Sequence, residues 1–156
     1  MVLLEMLEEV DFLKGILPEY RGMIAGLGEL KEAPPNTVLF QEGMEAHSVY
    51  LVLEGDVALE MYVPGEGAVV IQAAGAGELV GWSPALRLGP VTATARTRSR
   101  CRLVGLNVGR LLNLFQTAPH FGMEFLRRAA ATMARRLSAT RRRLLALSHT
   151  ERSAVG

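Results

Sequence analysis

From Val38 to Ile71 the chain alternates short β-prone runs with turn signals. Val38-Leu39-Phe40 predicts a strand, turned by Glu42-Gly43, and Val49 to Leu53 is an unbroken apolar run of the kind buried on both faces. Glu54-Gly55-Asp56 predicts a tight turn. Val57, Leu59 and Met61 then alternate with Ala58, Glu60 and Tyr62, and after Pro64-Gly65-Glu66-Gly67 the run Val69-Val70-Ile71 predicts the next strand. Short strands punctuated in this way predict a sandwich or jelly roll. Helical periods lie on either side. Leu3, Leu4, Leu7, Val10 and Leu13 predict a helix within Leu3–Ile16, and Pro18 opens a second one reaching Leu27. Asn107 predicts an N-cap for a short helix over Val108–Gln116, and Pro119 opens a long final helix.

Along that final helix Leu126, Ala130, Met133, Leu137, Thr140, Leu144 and Leu147 recur at alternating steps of four and three, a heptad seam. Arg127, Arg128, Arg135, Arg136, Arg141, Arg142 and Arg143 flank it and leave only a narrow apolar strip. Such a strip fits a two-helix seam, and therefore a parallel homodimer, better than broad burial in a core. Thr140 is the polar step, which costs some stability and can set register.

Between the strands lies Gly77 to Ala95, GELVGWSPALRLGPVTATA. Ser83 followed by Pro84 predicts the start of a one-turn helix through Ala85, Leu86, Arg87 and Leu88, ended by Gly89-Pro90. Val91 to Ala95 predicts a strand. So short a helix contributes little packing, and its free N–H groups are what it offers to a ligand. An ordinary turn between strands is the competing reading.

These stretches together resemble the cyclic-nucleotide-binding sensor domain of catabolite-activator/FNR-type regulators, over about Phe12 to Leu147. Phe40-Gln41-Glu42-Gly43 followed by Tyr50-Leu51-Val52-Leu53-Glu54-Gly55-Asp56-Val57 resembles the family's barrel signature. Gly77–Ala95 resembles its phosphate-binding cassette, and Met133 to Thr140 its dimerisation helix. The resemblance implies a ligand slot between the cassette and the C-terminal helix. It places Gly81, Trp82, Ser83, Ala85, Leu86, Val91, Thr92 and Ala93 in the cassette, with Thr140 and Arg141 on the helix side. In the family a Glu holds the ribose hydroxyl and an Arg holds the cyclic phosphate. Trp82 and Val91 stand at those two positions here, while Gly81, Ala93 and Thr94 keep the frame. Binding of a cyclic nucleotide in the usual mode is therefore not expected unless Arg87 or Arg96 substitutes, and no cofactor is assigned. The residue after Thr140, usually Ser, is Arg141.

Charge adds a second asymmetry. Residues 1–80 hold 3 Lys/Arg against 14 Asp/Glu, a net of −11, and residues 81–156 hold 14 Arg against 2 Glu, a net of +12. The halves neutralise each other within the fold or across a dimer, or the basic half meets an acidic partner or nucleic acid. Arg96, Arg98, Arg100 and Arg102 are expected on one face of a single strand, solvated or as a nucleic-acid stripe.

The single cysteine, Cys101, excludes an intrachain disulfide and is expected in the core. His47, His120 and His149 lie in different elements without metal-ligand spacing, and Ser83 lacks a nucleophile elbow. No apolar run reaches membrane-span length, and the acidic N-terminus is unlike a signal peptide, so the expected location is the cytoplasm.

The expectation is thus a mainly-β jelly roll with N-terminal helices over 1–117, a dimerisation helix over 118–148, a tail over 149–156 and no DNA-binding domain. It is a regulatory, non-enzymatic sensor that binds an unidentified small molecule, pairs with itself and signals to a protein partner. Nucleic-acid association through the Arg-rich half, and a scaffold with a decayed ligand site, are its rivals.

Overall fold

The computed structural model describes residues 2–82 and 89–155, which form two units, Met1–Gly122 and Met123–Gly156. The first unit carries two four-stranded antiparallel sheets. One has the order β1-β8-β3-β6, from β1 (Glu29–Ala33), β8 (Cys101–Asn107), β3 (Ser48–Glu54) and β6 (Leu79–Val80). The other has the order β2-β7-β4-β5, from β2 (Val38–Phe40), β7 (Thr94–Thr97), β4 (Val57–Val63) and β5 (Gly67–Ala74).

One core joins the two sheets. Tyr50, Val52, Leu103, Cys101 and Val80 of the first cluster with Val57, Ala74 and Ala95 of the second, and Leu39, Phe40 and Leu59 pack against them. Val49 and Leu51, of opposite parity on β3, are also fully buried. Strand β3 is therefore covered on both faces, as its unbroken apolar run requires.

Helix α1 (Val2–Glu8) packs on α2 (Pro18–Leu27), and α2 packs on β8. The predicted helix over Leu3–Ile16 is interrupted: after α1 only a 3-10 turn forms, at Asp11–Leu13. There the Phe12 N–H leaves the helical ladder and donates to the Gly77 carbonyl at 2.9 Å. Asn107 caps α3 (Val108–Thr117), accepting from the Arg110 N–H at 3.0 Å. Tyr20 and Phe115 close on the buried Phe121, with ring centroids 5.6 and 5.9 Å apart respectively.

Three sequence expectations need correction. Strand β1 was not foreseen, because Glu-Leu-Lys-Glu-Ala has no apolar alternation; it is an edge strand held by full-length pairing with β8. Arg96, Arg98, Arg100 and Arg102 do not share one strand face: β7 ends at Thr97 and β8 begins at Cys101, with a bend between them. There the Arg98 N–H donates to the Asp56 carbonyl at 2.9 Å. The third correction lies in the final helix, α4 (Pro119–Val155), which runs on through the residues expected as a tail. Nothing in Ser148-His149-Thr150-Glu151-Arg152 breaks a helix.

Candidate functional site

Strand β6 delivers the chain into Gly81, which sits at φ +86°. A Cβ there would stand 2.8 Å from Cε1 of Phe40, so the left-handed backbone and the aromatic neighbour both demand glycine. Trp82 follows and is half-buried. The predicted one-turn helix, Ser83 to Leu88, with the candidate residues Ser83, Ala85 and Leu86 and the alternative cation Arg87, lies outside the described residues.

The chain returns at Gly89-Pro90, both exposed, and Val91 is only 3% exposed. Its backbone is clasped from both sides by the turn after β2: the Val91 N–H donates to the Met44 carbonyl at 3.0 Å, and the Gly43 N–H donates to the Val91 carbonyl at 2.9 Å. Thr94 adds a third tie, its Oγ1 accepting from the Glu42 N–H at 3.0 Å. Val91, Ala93 and Ala95 are buried, and Thr92, Thr94 and Arg96 between them are more exposed. Val91 thus shares the inward parity of Ala95, a member of the core. The predicted strand over Val91–Ala95 is therefore half correct: its alternation holds, but ladder pairing begins only at Thr94.

The Val91 position is accordingly a buried apolar one. Arg96 lies on the opposite parity, its Nε 3.4 Å from Oε2 of Glu60. On that face Glu42, Glu60, Tyr62, Thr94 and Arg96 line an open groove of about 590 Å³. The polar groups of the groove satisfy one another, the Glu42 carboxylate accepting the Tyr62 N–H at 3.0 Å. Sequence reading missed the clasp between the Glu42–Met44 turn and Val91–Thr94; the only signal for it was that both stretches belong to one family pattern.

Cys101 is fully buried, its Sγ 3.4 Å from the Asp56 and Ser99 carbonyls, and burial pushes its thiol pKa up. A thiol held protonated is a poor nucleophile. Among the described residues no group of His, Cys, Asp and Glu could hold a metal, and no helix is long and apolar enough to cross a membrane.

In the second unit every seam residue from Leu137 onward is exposed. Leu126 and Met133 are half-buried, Ala130 and Thr140 are exposed, and Leu137, Leu144 and Leu147 are 52%, 62% and 63% exposed. Thr140 donates back to the Arg136 carbonyl at 2.9 Å, and Arg141 is exposed. Near the start of this unit Glu124 takes Arg127 at 2.7 Å and Arg128 at 2.8 Å. The Arg127 hydrogen bond, backed by Arg128, holds the Glu124 carboxyl below the usual carboxylate range.

The profile of the cyclic nucleotide-binding domain matches residues 30–118. No curated protein sequence matches the chain. A cyclic nucleotide-binding domain from Methylobacillus flagellatus superposes with TM-score 0.78 at 22% identity, over 92% of this chain and 80% of that one. The catabolite activator protein of Thermus thermophilus gives 0.71 at 26% identity, over 88% of this chain and 63% of that one. A cAMP-independent protein kinase A regulatory subunit from Trypanosoma brucei, solved as a triple mutant with cAMP in its A site, gives 0.67 at 20% identity, over 81% of this chain and 45% of that one. The chain therefore spans less than two thirds of the Thermus and Trypanosoma proteins. With the profile covering more than half of its length on a two-sheet jelly roll, the chain belongs to the cyclic nucleotide-binding domain family.

Proposed function

We propose that this protein is a regulatory sensor that binds a neutral or weakly charged small molecule at the Gly81–Ala93 cassette and works as a homodimer through α4, by binding and not by catalysis. The observation that carries the reading is Val91, buried and apolar where a cyclic phosphate would need a cation. Leaving a buried charge without its partner costs about 3–5 kcal/mol. At 1.4 kcal/mol per tenfold, this is about two to four orders of magnitude in affinity. Free N–H groups of a short helix would return only about 0.3–2 kcal/mol, and Arg96 is engaged by Glu60. Trp82, half-buried beside the glycine, offers a flat apolar wall for stacking in place of a carboxylate. The Trypanosoma relative, cAMP-independent yet solved with cAMP after three substitutions, supports the view that ligand choice in this fold turns on a few side chains.

Calorimetry with cyclic AMP and cyclic GMP tests the reading. The wild type should give no binding in the low-micromolar range, and Trp82→Glu combined with Val91→Arg should begin to restore it. A wild-type dissociation constant of low micromolar or tighter would overturn it.

A further inference from the structure

Two open sheets have four edges, and an edge strand offers a row of backbone N–H and C=O groups to any strand that reaches it. Three of these edges are protected in ordinary ways. β6 is only two residues long and β2 only three. β1 is longer, but it carries the charges of Glu29, Lys31 and Glu32. β5 is the exception. It is eight residues long, GAVVIQAA, with no charge and no proline, and among the described residues it pairs with β4 alone.

Its side chains do not blunt the edge either. The register with β4 steps by one residue, from Leu59 opposite Gln72 to Glu60 opposite Val70. At that bulge two consecutive β-branched side chains, Val70 and Ile71, are 44% and 40% exposed. On β4, Tyr62 opposite Ala68 is 68% exposed and Val63 opposite Gly67 is 37% exposed. A bulge often turns an edge away from partners, but this one adds apolar surface to the edge. The nearest charge along the chain is Glu66, outside the strand. In an antiparallel pairing of β5 with itself, centred on the strand, Glu66 faces Gly75 of the second copy, and no like charges meet.

We propose that β5 is a self-recognition edge, at which β5 of a second copy adds antiparallel and joins the two four-stranded sheets β2-β7-β4-β5 into one. Only another strand can cover such an edge, because only a backbone supplies the matching row of donors and acceptors. β5 is its own complement: antiparallel pairing relates the copies by a two-fold axis, so each contact is made twice and the assembly closes at two. The exposed Val70 and Ile71 of both copies then lie on one continuous sheet. The contact is small. A single strand edge falls short of the roughly 1,200 Å² that stable specific interfaces bury, so the pairing is transient, with a dissociation constant on the order of 100 µM. It uses neither the cassette nor α4, and stands apart from the ligand and dimer readings above.

Sedimentation of the full-length Leu137→Asp chain, in which pairing through α4 is disabled, isolates this edge. It should be largely a 16.9 kDa monomer at about 10 µM and mostly paired at about 1 mM. Adding Val70→Lys, a charge on the exposed edge, should abolish the association, whereas Leu30→Lys on the β1 edge should leave it unchanged. Hydrogen exchange supplies a second measurement that needs no β5 variant: between the two concentrations the amides of Gly67–Ala74 should slow severalfold and those of Glu29–Ala33 should not. A monomer at about 1 mM overturns the proposal, as does association that survives Val70→Lys. Species larger than a pair make β5 an aggregation seed and overturn the closed two-fold contact. Slowed exchange in β5 only on adding an uncharged, valine-rich extended peptide overturns self-recognition and gives the edge to a strand of another protein.

Discussion

At the scale of single residues, two glycines and one valine decide most. Gly55, at φ +93°, turns β3 into β4, and a Cβ there would stand 2.5 Å from the Arg100 carbonyl oxygen and 2.7 Å from Cys101 Sγ. The first of these is backbone and cannot swing aside. Gly55→Ala should therefore destabilise the fold by about 3 kcal/mol or more, strain adding to steric displacement; chemical denaturation followed by Trp82 fluorescence would measure it, and a loss under 1 kcal/mol would refute the argument. The turn itself was legible as Glu-Gly-Asp, and Gly81 was legible because family and local chemistry asked for the same residue. The burial of Val91 was not. A valine before Thr-Ala-Thr reads as the start of a strand, and the hydrogen bonds from Gly43 and to Met44, about fifty residues away in sequence, fix its backbone against the turn after β2.

Among elements, α4 shows most clearly what a period can foretell. The helix was readable because apolar steps of four and three survive any tertiary context, whereas β1 was hidden because its partners, Arg100 and Arg102 to Glu32 and the Tyr50 ring under Lys31, are supplied by other elements. The exposure of Leu137 by half of its surface motivates the direct test of pairing. In phosphate buffer at micromolar concentration the protein should sediment at twice the 16.9 kDa chain mass, and Leu137→Asp should return it to a monomer; a wild-type monomer there would end the dimer proposal. Acid should also be felt at the start of the helix. Because the folded pKa of Glu124 is depressed, its ion pairs add stability that is fully present above the unfolded value of about 4.3 and lost as pH falls through the lower folded value. Glu124→Gln should remove that part of the pH dependence from thermal melts taken between about pH 5 and pH 2.

The whole molecule carries a charge pattern that its fold resolves only in part. Within the first unit Arg96 meets Glu60, Arg100 meets Glu32 and Arg102 meets Glu54, so acids of the front half offset part of the charge of the basic strands. The second unit keeps its excess: residues 123–156 hold 8 Arg against 2 Glu, a net of +6. Duplex DNA should consequently bind weakly and without sequence preference, with affinity falling steeply as salt rises because neutralised phosphates release counterions. Tight, sequence-selective binding at physiological salt, seen by fluorescence anisotropy, would overturn the sensor reading.

The topology also sets an order of events. Strand β8 lies between β1 and β3, pairing Gly105 with both Glu29 and Tyr50, although it is the last strand to be made. As the chain leaves the ribosome, β1 has no neighbour until about residue 107 has emerged, and β2 waits similarly for Arg96. The β4–β5 hairpin can form locally, but β1 and β2 cannot pair until separations of 55 (Phe40 to Ala95) to 76 (Glu29 to Gly105) residues have closed, which places folding toward the slow, millisecond-to-second end for small domains. During that interval the apolar run of β3 is the segment most in need of cover. Among the described strands its early partner is the two-residue β6, so a chain halted before β8 would expose a strand that the finished protein covers on both faces.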